Sequence, residues 1–397
     1  MQAVTVESCS FCGKHKEVVQ KLIVSESVAI CNECVDLCQG LLQDQAPSIN
    51  FSHDSRDPQE IKSFLDQYVI GQDPAKIALA VAVVNHYKRI NRSPDAPEIN
   101  KANILMLGPT GSGKTLLARS IARYLDVPFA ITDATSVTEA GYVGDDVETL
   151  ISRLYSNSGY DLERTQRGII FVDEIDKISR RSESSSITRD VSGEGVQQAL
   201  LKLVEGTTCR VPPQAGRKHP SGEMIEIDTT NILFIAGGAF VGLDGIMTRR
   251  EQGTNIGFSS TITSKKNSDL TNVTADDLVK FGMIPEFVGR FPVTVTLLPL
   301  TAQDLMMILT QVKSNLCEQY KWYLQQDGID LDFSSEALCE IVDRAIKSGT
   351  GARALHGEIE RVMMPHMYAA RDYNRRELTH LKIDLELVNN PTILMCT

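Results

Sequence analysis

Short apolar runs alternate with helical patterns through the middle of this chain. Asn103–Leu107, Val127–Ile131, Ile169–Val172, Ile232–Ala236 and Val293–Leu297 each read as a buried strand. Strands of that kind separated by helices predict an α/β fold with a parallel sheet covered on both faces. Thr301 and Asp304 form a capping-box pattern that predicts a helix running toward Gln326. Ile329–Phe333 and Leu381–Leu387 are strand-like, and the two helical stretches between them are parted by Ser348-Gly349-Thr350-Gly351. That pattern predicts a small α+β domain. Before Pro58, the segment from Gln43 has no period of either kind and reads as a linker. The expected organisation is a cysteine-rich domain at 1–42, a linker at 43–58, a large domain at 59–299, a small domain at 300–385 and a tail at 386–397.

Composition narrows the function classes. The chain has 397 residues, 42% of them hydrophobic, enough to bury more than one core. Its 51 acidic against 40 basic residues, net −11, argue against holding nucleic acid by bulk charge. The longest apolar run, Ile77 to Val84, is far short of the roughly 20 residues that cross a bilayer. With no secretory pattern at the N-terminus, the expected location is the cytoplasm.

Five of the nine cysteines fall in the first 38 residues. Cys9 and Cys12 make one Cys-x-x-Cys knuckle, and Cys31 and Cys34 make a second, 18 residues on. Four thiolates so spaced can close a tetrahedron around Zn²⁺, a structural staple for a domain too small to hold itself together. Cys38, just beyond, is a competing ligand by position alone. A DNA-binding finger is the rival reading, weakened by the few basic residues there, Lys14, Lys16 and Lys21.

The run Gly108-Pro109-Thr110-Gly111-Ser112-Gly113-Lys114-Thr115 follows a strand and opens a helix on which Leu116, Leu117, Ile121 and Leu125 keep helical spacing. Small residues let backbone N–H groups close on phosphate oxygens, Lys114 reaches the outer phosphates, and the Thr115 hydroxyl can ligate Mg²⁺. The strand Gly168–Val172 ends in Asp173-Glu174. Asp173 is expected to hold Mg²⁺ and Glu174 to polarise the attacking water, which makes the class ATP hydrolysis rather than nucleotide binding alone.

These motifs resemble the AAA+ ATPases, and more narrowly the ClpX family of unfoldases. The likeness rests on long strings: CSFCGK, YVIGQ, GPTGSGKT, AGYVGDDVE, DEIDKISR, ITRDVSGEGVQQALLKL, AGRKHP, IPEFVGRFPV and TGARAL. The resemblance implies a homohexameric ring that uses ATP to pull tagged proteins, some delivered by adaptors, through a pore into the ClpP peptidase. It implies a nucleotide site spanning Gly108 to Leu116, with Val69 and Ile70 packing on adenine. It also implies a pore loop in which Tyr142 and Val143 grip the polypeptide between Gly141 and Gly144, and a second loop around Asp190–Gly195. Arg217, Lys218 and His219 would line the pore entrance, and Ile256-Gly257-Phe258 would dock on ClpP. Arg290 would reach the neighbouring subunit's nucleotide, and Arg353 would sense the same chain's phosphates from the lid. In that family the zinc domain dimerises and recruits substrates and adaptors. The chain departs from the family at Leu355-His356, where another arginine is common, and matches loosely from Tyr368 onward. The alternatives are a remodelling chaperone uncoupled from a protease and a nucleic-acid-stimulated ATPase.

Overall fold

A computed structural model describes residues 7–25, 28–43, 57–138, 145–179, 193–213, 224–253 and 270–392. The chain divides into two compact units, Met1–Ser55 and Arg56–Thr397.

In the first unit an antiparallel pair, Leu22–Val24 with Ala29–Cys31, runs directly into the helix Asn32–Gln43. Its buried centre is Cys9, Val19, Cys31 and Cys34, with Leu22 and Ile30 packed against them. Three of those four core residues are cysteines, so apolar burial supplies very little and the thiols must supply the rest.

The second unit is built on a five-stranded, all-parallel sheet. Its strands are β1 (Ile104–Leu107), β2 (Phe129–Asp133), β3 (Ile169–Asp173), β4 (Leu233–Gly238) and β5 (Val293–Thr296). They lie in the order β5-β1-β4-β3-β2. All five correspond to the apolar runs of the sequence, with β2 displaced two residues toward the C-terminus. Successive side chains of a strand point to opposite faces, and in β1, β3 and β4 both faces are buried. Leu105, Leu107, Ile170, Val172, Phe234 and Ala236 enter one core, while Ile104, Met106, Ile169, Phe171, Leu233 and Ile235 enter the other. That double burial is why these strands read as continuous apolar runs rather than alternating ones.

The small domain has its own core, in which a parallel pair, Asp330–Phe333 with His380–Ile383, packs among helices. The Thr301 capping box forms as expected, with Asp304 Oδ2 accepting from Thr301 N at 2.8 Å. The helix it opens stops at Thr310 instead of running to Gln326. Ser314 turns left-handed at φ 58, and Asn315 caps a separate helix, Leu316–Gln326, by accepting from Glu318 N at 2.9 Å. The Asn315 amide also donates to Thr310 O and Val312 O, so one buried side chain satisfies both broken ends. The strand expected over Leu381–Leu387 likewise ends at Ile383. Asp384 caps the short helix Leu385–Asn389, which buries Leu387 and Val388 in the same core.

No helix among the described residues is long and apolar enough to cross a membrane. Truncating Phe171, fully buried in β3, to alanine is expected to cost about 3–5 kcal/mol. Thr301→Ala is expected to cost about 1 kcal/mol. Urea unfolding of the two variants should rank them in that order, and a larger loss at Thr301 would contradict the packing described.

Candidate nucleotide and zinc sites

The four cysteine sulfurs Cys9, Cys12, Cys31 and Cys34 lie within 4.8 Å of one another. Local geometry brings them together: Cys31 closes a strand, and Cys34 sits in the first turn of the following helix, where its N–H donates to Cys31 Sγ at 3.4 Å. Cys31 N–H donates to Cys9 Sγ at 3.3 Å. Burial alone raises the Cys9 thiol, but backbone N–H groups of Cys12, Cys31 and Phe11 outweigh it and bring it down to about 6. The Cys12 side chain, more than burial, pushes the Cys34 thiol up. Sulfurs so close, one of them readily ionised, fit a tetrahedral Zn²⁺ and leave no open ligand position. Cys38, one turn beyond Cys34, stands outside this cluster.

In the second unit the phosphate loop leaves the C-terminal end of β1 and enters the helix Lys114–Leu125 through Gly113, at φ 102. Gly111 is left-handed, at φ 78, and a Cβ there would meet Thr350 O at 2.3 Å. Its carbonyl accepts from Ala352 N at 3.4 Å. The loop is therefore in backbone contact with the turn Ser348–Gly351 and with the helix Ala352–Arg375, whose second residue is Arg353. Lys114 is buried and donates to Gly108 O at 2.7 Å and Pro109 O at 3.0 Å. Desolvation lowers its pKa, opposed by Asp173, and Arg353 adds to the lowering. An anion beside Lys114 relieves that strain. Ser112 Oγ is buried with no hydrogen-bond partner, a second feature that suits bound phosphate.

Thr115 Oγ1 donates to Asp173 Oδ2 at 3.0 Å, so the two residues expected to share Mg²⁺ are already adjacent. Glu174 follows at φ 54, left-handed, with its N–H on Asp173 Oδ1 at 2.9 Å. A non-glycine residue in that region costs about 1–2 kcal/mol, and Glu174 is exposed there. Val69 is buried, and its Cγ1 would lie 3.9 Å from a Cβ on Gly113, which places it beside the loop. Ile70 follows, half-buried. Leu116 lies half-exposed in the first turn of the loop's helix.

Arg290 is placed elsewhere. Its backbone carbonyl accepts from Asn103 Nδ2 at 2.9 Å, at the N-terminal end of β1, while the phosphate loop leaves the other end. Five residues of extended chain separate those ends, roughly 16 Å. The Arg290 guanidinium pairs with Glu205, Nε to Oε1 at 2.8 Å, both groups partly exposed. Tyr142, Val143, Arg217, Lys218, His219, Ile256, Gly257 and Phe258 lie outside the described residues.

Three residues escaped the sequence reading. Asp176 is buried and accepts from Ala239 N at 3.2 Å and Phe240 N at 3.3 Å. Gln72 brackets Leu298, its amide donating to Leu298 O at 2.8 Å and accepting from Leu298 N at 2.9 Å. Buried Lys76 donates to Val69 O at 2.6 Å and pairs with Asp66 at 2.7 Å, holding the turn that presents Val69. Asp176 and Gln72 lie within the strings DEIDKISR and YVIGQ but carried no role of their own there, and for Lys76 there was no signal.

Atomic absorption should find one zinc per chain. Stripping it with a strong chelator, or Cys31→Ser, should unfold the first unit and leave nucleotide binding by the second within about twofold. Retention of the first unit's structure without metal would contradict the assignment.

Comparison with known families agrees with this layout. Residues 7–44 match a ClpX C4-type zinc finger, 99–294 an AAA domain of the Cdc48 subfamily, and 300–376 the C-terminal, D2-small domain of ClpB protein. The chain is 49% identical over 392 residues to the ATP-dependent Clp protease ATP-binding subunit ClpX of Treponema denticola, covering 96% of this chain and 94% of that one. A zinc-finger unit followed by a nucleotide cradle and a small domain, with likeness spanning nearly the whole length, places the chain in the ClpX family of AAA+ ATPases.

Proposed function

We propose that the chain is an ATP-driven protein unfoldase that works as a homohexamer in the cytoplasm and feeds tagged proteins, directly or through adaptors, to a ClpP-type peptidase. The observation that carries this reading is the backbone contact between Gly111 and the Thr350–Ala352 segment. A loop that holds phosphate and touches the small domain at van der Waals distance cannot change its occupancy without pressing on that domain. All eight described cysteines are free, in keeping with a reducing compartment.

In this mechanism ATP lies along the loop from Gly108 to Leu116, with adenine against Val69 and Ile70. Lys114 gives up the Gly108 and Pro109 carbonyls and turns its ammonium to the outer phosphates. Thr115 and Asp173 would hold Mg²⁺, which when bound neutralises charge on the transferring phosphoryl group. Glu174 accepts the proton of the attacking water. Arg290 starts from the far end of β1, and its route to a phosphate is to the neighbouring subunit's. A guanidinium suits that task because it is always charged and forks onto two oxygens. Its present partner, Glu205, is a surface ion pair worth about 0–1 kcal/mol, easily exchanged. Arg353, at the start of the small domain's helix, senses the same chain's phosphates. Tyr142 and Val143 then grip substrate, Arg217, Lys218 and His219 attract its anionic tail, and Ile256-Gly257-Phe258 docks on the peptidase.

The test is degradation of a tagged, folded reporter by the full chain with ClpP, ATP and Mg²⁺, where loss of fluorescence is expected. Glu174→Gln should bind ATP and lose turnover by roughly a hundredfold or more, and brisk hydrolysis by that variant would refute the assigned base. Tyr142→Ala should keep hydrolysis and lose unfolding. Removing Ile256 to Phe258 should keep unfolding and end degradation. If degradation survives that deletion, the docking role is wrong, and if the intact chain unfolds the reporter without any degradation, it is a remodelling chaperone uncoupled from the peptidase.

A further inference from the structure

Buried Asp176 is absent from the mechanism above, yet it joins three parts of the nucleotide site. It lies in the tight turn Ile175–Ile178 that follows Glu174, where Lys177 N donates to Glu174 O at 2.9 Å. Its carboxylate leaves that turn and crosses to the neighbouring strand. Oδ1 accepts from Ala239 N and Oδ2 from Phe240 N, just beyond the end of β4. Phe240, like Glu174, is a non-glycine residue held left-handed, at φ 50. One carboxylate therefore bridges two strained backbone positions at the ends of adjacent parallel strands. Gly238 makes the bridge possible, since a Cβ there would lie 2.7 Å from Asp176 Oδ1 and 2.6 Å from the Phe240 ring. The Gly238 carbonyl in turn accepts from Gly108 N at 3.2 Å, at the first residue of the phosphate loop.

The chain of bonds runs from the turn carrying Glu174, through Asp176, to the end of β4 and on to the phosphate loop. We infer that Asp176 is a positioning residue for ATP hydrolysis, setting the distance between the Glu174 carboxylate and the phosphates cradled by the loop. It acts through where it holds its neighbours, and its charge also bears on Lys114. The inference rests on the proposed role of Glu174 as the hydrolytic carboxylate.

Its geometry makes the residue's replacement informative. Asparagine has the same shape but offers one acceptor in place of two and turns an N–H₂ toward the other backbone donor. One of the two anchors is lost without opening a cavity. A displacement of the base by a fraction of an ångström to 1 Å lowers the chemical step while nucleotide still binds.

The experiment uses the full-length chain and compares Asp176→Asn with the parent for steady-state ATP hydrolysis and for binding of ADP and a non-hydrolysable ATP analogue. The expected result is a kcat at least about tenfold lower, with KM and analogue binding within about twofold. In a Glu174→Gln background the same change should cause no further loss, because the group it positions is already gone. A kcat within twofold of the parent overturns the inference, as does a fall in kcat matched by an equal loss of analogue binding, or a full further loss on top of Glu174→Gln. If Asp176→Asn does not fold, Asp176→Glu keeps both acceptors and lengthens the arm by one methylene, and the same readouts decide. Unimpaired hydrolysis by Glu174→Gln alone would sink the proposed base, a result separable from any effect at Asp176.

Discussion

A parallel sheet buried on both faces has nowhere to carry charge except at its ends. The three central strands of the sheet are lined on each side by apolar core, with Ile104 and Met106 on one face of β1 and Leu105 and Leu107 on the other. The polar groups that chemistry needs are therefore confined to the loops where strands finish. Gly108, Asp173, Glu174 and Gly238 all sit at the C-terminal ends of three adjacent strands. The same constraint sends Arg290 to the opposite end, where Asn103 holds its carbonyl. The chain thus carries Lys114, Asp173 and Glu174 at one end of the sheet and Arg290, paired with Glu205, at the other.

The small domain meets the loop at Gly111 through backbone atoms. Gly111 has no room for a Cβ because Thr350 O occupies that place, and Ala352 N donates to the Gly111 carbonyl. A contact made of main-chain atoms cannot be absorbed by a rotamer change, so shifts of the loop pass to the helix that bears Arg353. Gln72 adds a second tie, gripping both polar groups of Leu298 between the large domain's last strand and the small domain.

Much of this was legible in the sequence, for identifiable reasons. The three central strands announced themselves because double burial demands unbroken apolar runs, the edge strand β5 by its alternation of Val and Thr, and the glycine loop by the spacing of its glycines, Lys114 and Thr115. The cluster of Cys9, Cys12, Cys31 and Cys34 was legible from spacing alone. What escaped were features decided by the particular side-chain hydrogen bonds a residue makes, near or far along the chain. Asn315 breaks a helix whose apolar period continues through it, because its side chain finds Thr310 O, Val312 O and Glu318 N at once. Asp384 stops a strand by capping the next helix. Asp176 looked like one more acid in an acidic run until Ala239 and Phe240, more than sixty positions on, were found donating to it. Local pattern reports what a residue prefers, and these three are fixed by what they meet.

The central claim is that each working site is shared between two subunits, with the cradle from one and Arg290 from the next. Complementation measures it directly. Lys114→Ala and Arg290→Ala chains should each be inactive alone, and hydrolysis should return when the two are mixed with ATP and Mg²⁺, because the first lends its arginine to the intact cradle of the second. If mixing restores nothing, or if Arg290→Ala alone hydrolyses ATP at the parent rate, the site lies within one subunit and the account is wrong.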